Sequence, residues 1–157
     1  MVLIAIVGEL GGGKTSSLTY LAWNNYYYKE RNIFANYNIY GIPFHPVKTL
    51  GDLQRMIPMK TMTADELMAR KEIFFAGDEL WRWIDARTAL IDDKKKGRQI
   101  NNKVVTDILG ASRKQGVTIA YSTQTLQQVD KRIRDITDFI FYPVLLGDND
   151  LCRISVF

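Results

Sequence analysis

Apolar residues fall along this chain in two kinds of block, short unbroken runs and helically spaced stripes, and the two kinds follow one another in turn. Val2 to Val7 is aliphatic without a polar break, which predicts a strand buried on both faces. From Thr15 to Glu30 the apolar positions Leu18, Leu21 and Ala22 recur at helical spacing, so a helix is expected there, with Tyr26, Tyr27 and Tyr28 facing several environments near its end. Asn32 to Asn38 predicts a second strand, and Gly41, Pro43 and Pro46 mark the loop after it. Short helices are expected over Gly51 to Ile57 and Thr63 to Lys71, the second opening on a Thr-Ala-Asp-Glu stretch that fits a capping box.

Ile73 to Ala76 is the next buried strand. A polar segment from Asp92 to Asn101 leads into Asn102 to Gln115, amphipathic with Val104, Val105, Ile108 and Ala111 on one side and ended by Gly116. Val117 to Ser122 predicts a strand, Leu126 to Arg134 a short helix and Asp138 to Leu146 a strand. The turn Gly147-Asp148-Asn149-Asp150 then runs into Leu151 to Phe157 as a terminal hairpin.

Strands alternating with helices at this spacing imply an α/β fold, a parallel sheet sandwiched by helices with a C-terminal β-hairpin. The 157 residues, 46% of them hydrophobic, suffice for one core, so residues 1–157 are read as a single domain. The opening apolar run lacks a basic segment before it and passes straight into a glycine loop, which does not fit a signal peptide. No apolar stretch approaches the roughly 20 residues that cross a bilayer, so no membrane segment is expected.

The lone Cys152 excludes an intrachain disulfide and suits a reducing, cytoplasmic setting, or the host cytoplasm for a viral chain, where it acts as a small apolar filler. The formal charge of +4 is compatible with a nucleic-acid partner and equally with simple solubility.

Three clusters carry candidate chemistry. Gly8-Glu9-Leu10-Gly11-Gly12-Gly13-Lys14-Thr15 satisfies G-x-x-x-x-G-K-[ST] between an expected strand and an expected helix, the context the motif requires. Glycines let backbone N–H groups turn inward around phosphate oxygens, and the helix N-terminus adds a favourable field. Gly8, Gly11, Gly12, Gly13, Lys14, Thr15 and Ser16 are therefore the expected nucleotide-binding residues. Lys14 is expected on the β- and γ-phosphates of ATP, and Thr15 on Mg2+.

The second cluster is Ile73 to Glu79, an apolar strand delivering two carboxylates at its C-terminal end, the edge where parallel sheets bind ligands. Asp78 is expected to hold the metal with Thr15, and Glu79 to orient and deprotonate the attacking water. In the third, the strand Thr118 to Tyr121 ends in polar side chains: Gln124, or Ser122 and Thr123, is expected to contact the γ-phosphate or position the water.

The combination resembles P-loop ATPases of the FtsK-HerA superfamily, especially the zonula occludens toxin-like ATPases of filamentous phage assembly and the small packaging ATPases of viruses. Gly8 to Thr15 carry the resemblance, with Phe74 to Trp83, Ser112 to Gly116 leading to Gln124, and Val129 to Arg134. It implies a strand added between the two nucleotide motifs and a homo-oligomeric ring, often a hexamer, that uses ATP hydrolysis to move DNA or extrude a virion. It also implies an arginine supplied by the neighbouring subunit, with Arg113 the first candidate and Arg132 and Arg134 next.

Arg113 equally suits the last turn of its expected helix, where a cation complements the dipole. Two departures from the family pattern stand out: Gly77 replaces the usual aliphatic residue before Asp78, and the membrane span and distal domain of many phage-assembly members are missing. The second favours packaging or translocation over extrusion.

Other features have two readings each. The run Lys94-Lys95-Lys96-Gly97-Arg98, with Lys103, is either a pore loop touching DNA phosphates or a solvated loop beside Asp92-Asp93. Trp81 and Trp83 either stack on a base or pack in a core or interface. His45 receives no role. Competing functions are a small nucleotide kinase, which usually lacks an adjacent Asp-Glu pair, and an assembly factor that binds ATP without turnover. A guanine-specific switch is disfavoured, because Asn102-Lys103-Val104-Val105 lacks the aspartate of N-K-x-D.

Overall fold

The first apolar run forms strand β1 (Leu3–Val7), and the computed structural model, which describes residues 2–49, 52, 55, 65, 70–80, 116–147 and 151–157, sets it between two parallel partners. Helix α1 (Lys14–Lys29) follows, then β2 (Asn32–Ala35), β3 (His45–Pro46), β4 (Ile73–Gly77) and β5 (Val117–Thr123). A 3-10 turn (Leu126–Gln128), a one-turn helix α2 (Lys131–Asp135), and strands β6 (Phe139–Leu146) and β7 (Leu151–Val156) complete the order. The sheet runs β3-β2-β4-β5-β1-β6-β7, parallel throughout except for the antiparallel β6–β7 pair. The parallel sheet and terminal hairpin expected from the sequence are both present.

Alternation along the strands builds two cores. Leu3, Ala5 and Val7 of β1 join Ile73 and Phe75 of β4 and Val117, Ile119 and Tyr121 of β5 on one face, against Val129 and Ile133. Ile6, Phe74, Ala76 and Ala120 point the other way, onto Leu18 and Ala22 of α1. Every residue of β4 and of β5 is buried, which explains why β4 reads as an unbroken apolar run, while β5 buries the hydroxyls of Thr118, Ser122 and Thr123 as well.

Three boundaries differ from the sequence expectation, each for a local reason. β2 stops at Ala35 rather than Asn38 because the side chain of Asn36 turns to the backbone of Asp78. His45 and Pro46, expected in a loop, pair with Phe34 and Ala35 as a two-residue edge strand, where a proline is tolerated. The imidazole of His45 stacks on Phe34 with ring centroids 4.7 Å apart, a packing role. The helix expected over Leu126 to Arg134 breaks at Val129 and Asp130, because buried Asp130 caps α2 by accepting from the Arg132 N–H at 2.9 Å.

Asp52, Arg55 and Asp65 are helical, as expected. Arg70 and Lys71, expected to end the second helix, are not helical, and the rest of the helices expected over 51–57 and 63–71 lies outside the described residues. So do the helix over 102–115, Trp81, Trp83, the lysine run and Arg113. Among the described residues no helix is long and apolar enough to cross a membrane.

Candidate nucleotide-binding site

At the C-terminal edge of the sheet the chain leaves β1 into a loop that turns sharply into α1. Gly11 and Gly13 have φ of 77° and 85°, left-handed values that residues with a Cβ adopt only at a cost. Space adds a second reason at Gly13, where a Cβ would lie 3.3 Å from both Cys152 Sγ and Leu145 Cδ2. The terminal hairpin thus packs directly beneath the loop, and the Sγ of Cys152 lies 3.7 Å from the Ser17 hydroxyl. Cys152 fills space there, in keeping with its expected role.

Lys14, the first residue of α1, is buried, and its ammonium donates to the Glu9 carbonyl at 2.7 Å. The Thr15 hydroxyl donates to Asp78 Oδ2 at 3.0 Å, so residues 63 apart in sequence meet across the strand edge. The other oxygen of Asp78 accepts from the Ser122 hydroxyl at 2.5 Å. Asn36 grips the same residue by its backbone, accepting from the Asp78 N–H at 2.7 Å and donating to its carbonyl at 2.8 Å. Asp78 is therefore fixed by side chains from α1, from the end of β2 and from β5.

Glu79 follows at φ 48°, an uncommon conformation for a residue with a side chain, and its N–H donates to Ser122 Oγ at 2.7 Å. Gly77, the departure noted in the sequence, lies where a Cβ would come within 3.2 Å of the Phe75 ring and 3.3 Å of Leu80. Its small size lets those two apolar groups close under the carboxylate turn.

Lys14, Thr15, Ser16, Asp78 and Glu79 share one cleft of about 270 Å³, with Leu145 of β6 on its wall. Behind it the Tyr37 hydroxyl lies 3.1 Å from the Thr19 hydroxyl. Burial pushes the Tyr37 phenol up to about 12; the Thr19 hydrogen bond acts the other way, and the negative charge of Asp78 adds to the rise. Tyr37 is thus a neutral donor or acceptor at physiological pH.

The oxygens suit a magnesium ion. Such an ion takes one or two protein oxygens and completes its shell with water and phosphate, so the converging Thr15 hydroxyl and Asp78 carboxylate are a sufficient protein share. Among the described residues there is no group of three or more His, Cys, Asp and Glu of the kind that cages a metal by itself.

The other sequence candidates are distributed as follows. Gln124 lies one residue beyond β5, half-buried, and is not among the described residues lining the cleft. The Ser122 hydroxyl is buried and bonded to Asp78 and Glu79, and that of Thr123 is buried near the Thr125 carbonyl, at 2.9 Å, and Gln128. Arg132 forms a forked pair with Asp130 at 3.0 and 2.9 Å, while Nε of Arg134 is buried without a partner.

Sequence reasoning missed Asn36 and Tyr37 and the contact of the hairpin with the loop. A polar pair ending the strand beside the Asp78 strand was the available signal for the first two. For the hairpin contact there was none.

The fold and the strand–loop–helix edge define a P-loop NTPase fold. No family model matches the sequence, and no curated protein sequence matches it. Solved structures share the fold. The N-terminal domain of zonular occludens toxin from Neisseria meningitidis aligns over 100% of this chain and 84% of its own, with a TM-score of 0.62 and 18% identity. The genome packaging NTPase B204 from Sulfolobus turreted icosahedral virus 2, solved in complex with AMPPCP, aligns over 95% of this chain and 77% of its own, with a TM-score of 0.58 and 12% identity. The pCW3 conjugation coupling protein TcpA, solved with ATPγS, aligns over 90% of this chain at a TM-score of 0.61 and 14% identity, and this chain spans about half its length (48%). These neighbours match the resemblance read from the sequence.

Proposed function

We propose that the chain is a magnesium-dependent ATPase whose hydrolysis cycle drives the movement of DNA in packaging or translocation, working in the cytoplasm as a homo-oligomeric ring. The observation that carries the reading is the Thr15–Asp78 hydrogen bond, which brings the Lys14-Thr15 pair and the Asp78-Glu79 pair to one cleft.

In this reading the N–H groups of the loop from Gly8 to Gly13, with those of Lys14, Thr15 and Ser16, surround the phosphates. Lys14 exchanges the Glu9 carbonyl for the β- and γ-phosphate oxygens. Thr15 and Asp78 hold Mg2+, which when bound neutralises charge developing on the phosphates. Glu79, turned by its left-handed backbone and the Ser122 bond, takes the proton of the attacking water. Gln124 and, from a neighbouring subunit, Arg113 are further candidates for the γ-phosphate.

The solved neighbours support a nucleotide ligand, since one is in complex with AMPPCP and another with ATPγS, and their names point to genome packaging and conjugation. The test is phosphate release by the purified chain with and without double-stranded DNA, using Glu79→Gln as control. Turnover stimulated by DNA and lost in Glu79→Gln is expected. ATP binding without turnover in either condition would replace the motor with a nucleotide-dependent assembly factor, and phosphate transferred to a nucleoside monophosphate would make the chain a kinase.

A further inference from the structure

The solvent side of α1 carries a groove of about 590 Å³ that begins at Thr15 and Ser16, two residues it shares with the phosphate cleft, and continues past Tyr20 and Trp23 to Tyr27 and Tyr28. We propose that this groove receives the nucleobase of the bound nucleoside triphosphate, with Tyr20 as the stacking platform. The inference rests on reading Gly8 to Thr15 as the phosphate loop, and it adds where the rest of the nucleotide lies.

Three observations support it. The first is continuity. Ser16 and Tyr20 stand one helical turn apart, about 6 Å along the axis, so a ligand whose phosphates end at Ser16 reaches Tyr20 through its sugar. The second is a fixed wall. The indole N–H of Trp23 donates to the Tyr40 carbonyl at 3.2 Å, and Trp23 lies so close to Gly41 that a Cβ there would come within 2.6 Å of the ring. Tyr27 packs on Trp23 with centroids 5.6 Å apart. Tyr20, by contrast, is 62% exposed, with its ring open to a ligand.

The third is charge. None of the described residues lining the groove is charged, whereas grooves that track a nucleic-acid backbone combine stacking aromatics with cations. A neutral, flat base fits this lining, and Asn24 on the same groove offers an amide to its edge.

The test compares ATP with inorganic tripolyphosphate, which has the phosphates and no base, by calorimetric titration of the full chain as wild type, Tyr20→Ala and Tyr20→Phe. Tyr20→Ala is expected to weaken ATP about tenfold and leave tripolyphosphate unchanged, and Tyr20→Phe, which keeps the ring, to bind ATP like the wild type. Unchanged ATP affinity in Tyr20→Ala, or an equal loss for both ligands, would overturn the base site while leaving the phosphate loop standing. Failure of the wild type to bind either ligand would remove the phosphate-loop reading and the base site together.

Discussion

Asp78 and Glu79, adjacent in sequence, share one hydroxyl partner from the neighbouring strand. Ser122 gives one hydroxyl to both residues, donating to the carboxylate of Asp78 and accepting from the N–H of Glu79, and it is fully buried. Ser122→Ala removes one hydroxyl that serves both a half-buried N–H and a carboxylate oxygen, so it is expected to lower stability by about 1 kcal/mol, read from urea unfolding. If Ser122 acts by positioning Glu79, kcat falls while KM for ATP changes little. An equal rise in KM would mean that it holds the nucleotide instead. Tyr37 offers a second residue-scale check through its raised phenol. The folded state favours the neutral form, so its contribution is complete below the unfolded value of about 10 and is lost as pH rises through about 12. The difference in tyrosinate absorbance between wild type and Tyr37→Phe is expected to develop near pH 12, and a transition near 10 would show that the phenol is hydrated.

At the scale of elements, α2 is stabilised by Asp130, whose carboxyl the Arg132 hydrogen bonds hold below the usual carboxylate range against the opposing effect of burial. A depressed folded pKa contributes stability above the unfolded value of about 3.9 and loses it as pH falls through the folded one. Asp130→Ala is expected to cost about 1 kcal/mol near pH 7, with the gap to wild type closing in acid; a gap independent of pH would assign the loss to packing. The existence and order of β1, α1, β4, β5 and the hairpin were legible in the sequence, because unbroken apolar runs and a glycine loop report burial and turn geometry directly. The end of β2 and the break before α2 were not. Both are set by a single polar side chain, Asn36 or Asp130, whose partner no periodicity reveals. The same limit applies to the site. Lys14, Thr15, Asp78 and Glu79 were legible because each lies in a local motif, whereas Asn36 acts across 42 residues of sequence.

Across the whole molecule the sheet links the loop to the far edge of the fold. β1 pairs with β6, β6 pairs with β7, and Cys152 and Leu145 from that hairpin meet Gly13 from below. A ligand that orders the loop therefore has a mechanical route to β7, which lies at the edge of the sheet, where opening costs least. Saturating ATP at about 100 times its dissociation constant adds about 2.7 kcal/mol to the folded state, and for a chain of this size that raises the melting temperature by about 5–10 °C. Lys14→Ala is expected to abolish the shift. Hydrogen exchange then separates two ways of distributing that stabilisation. If loop and hairpin open together, amides of Leu151–Val156 slow on ATP binding along with those of Gly11 to Ser16, and Cys152→Ala, which removes the sulfur beneath Gly13 and leaves the loop intact, weakens that coupling. Protection confined to the loop would mean that the hairpin is a passive floor.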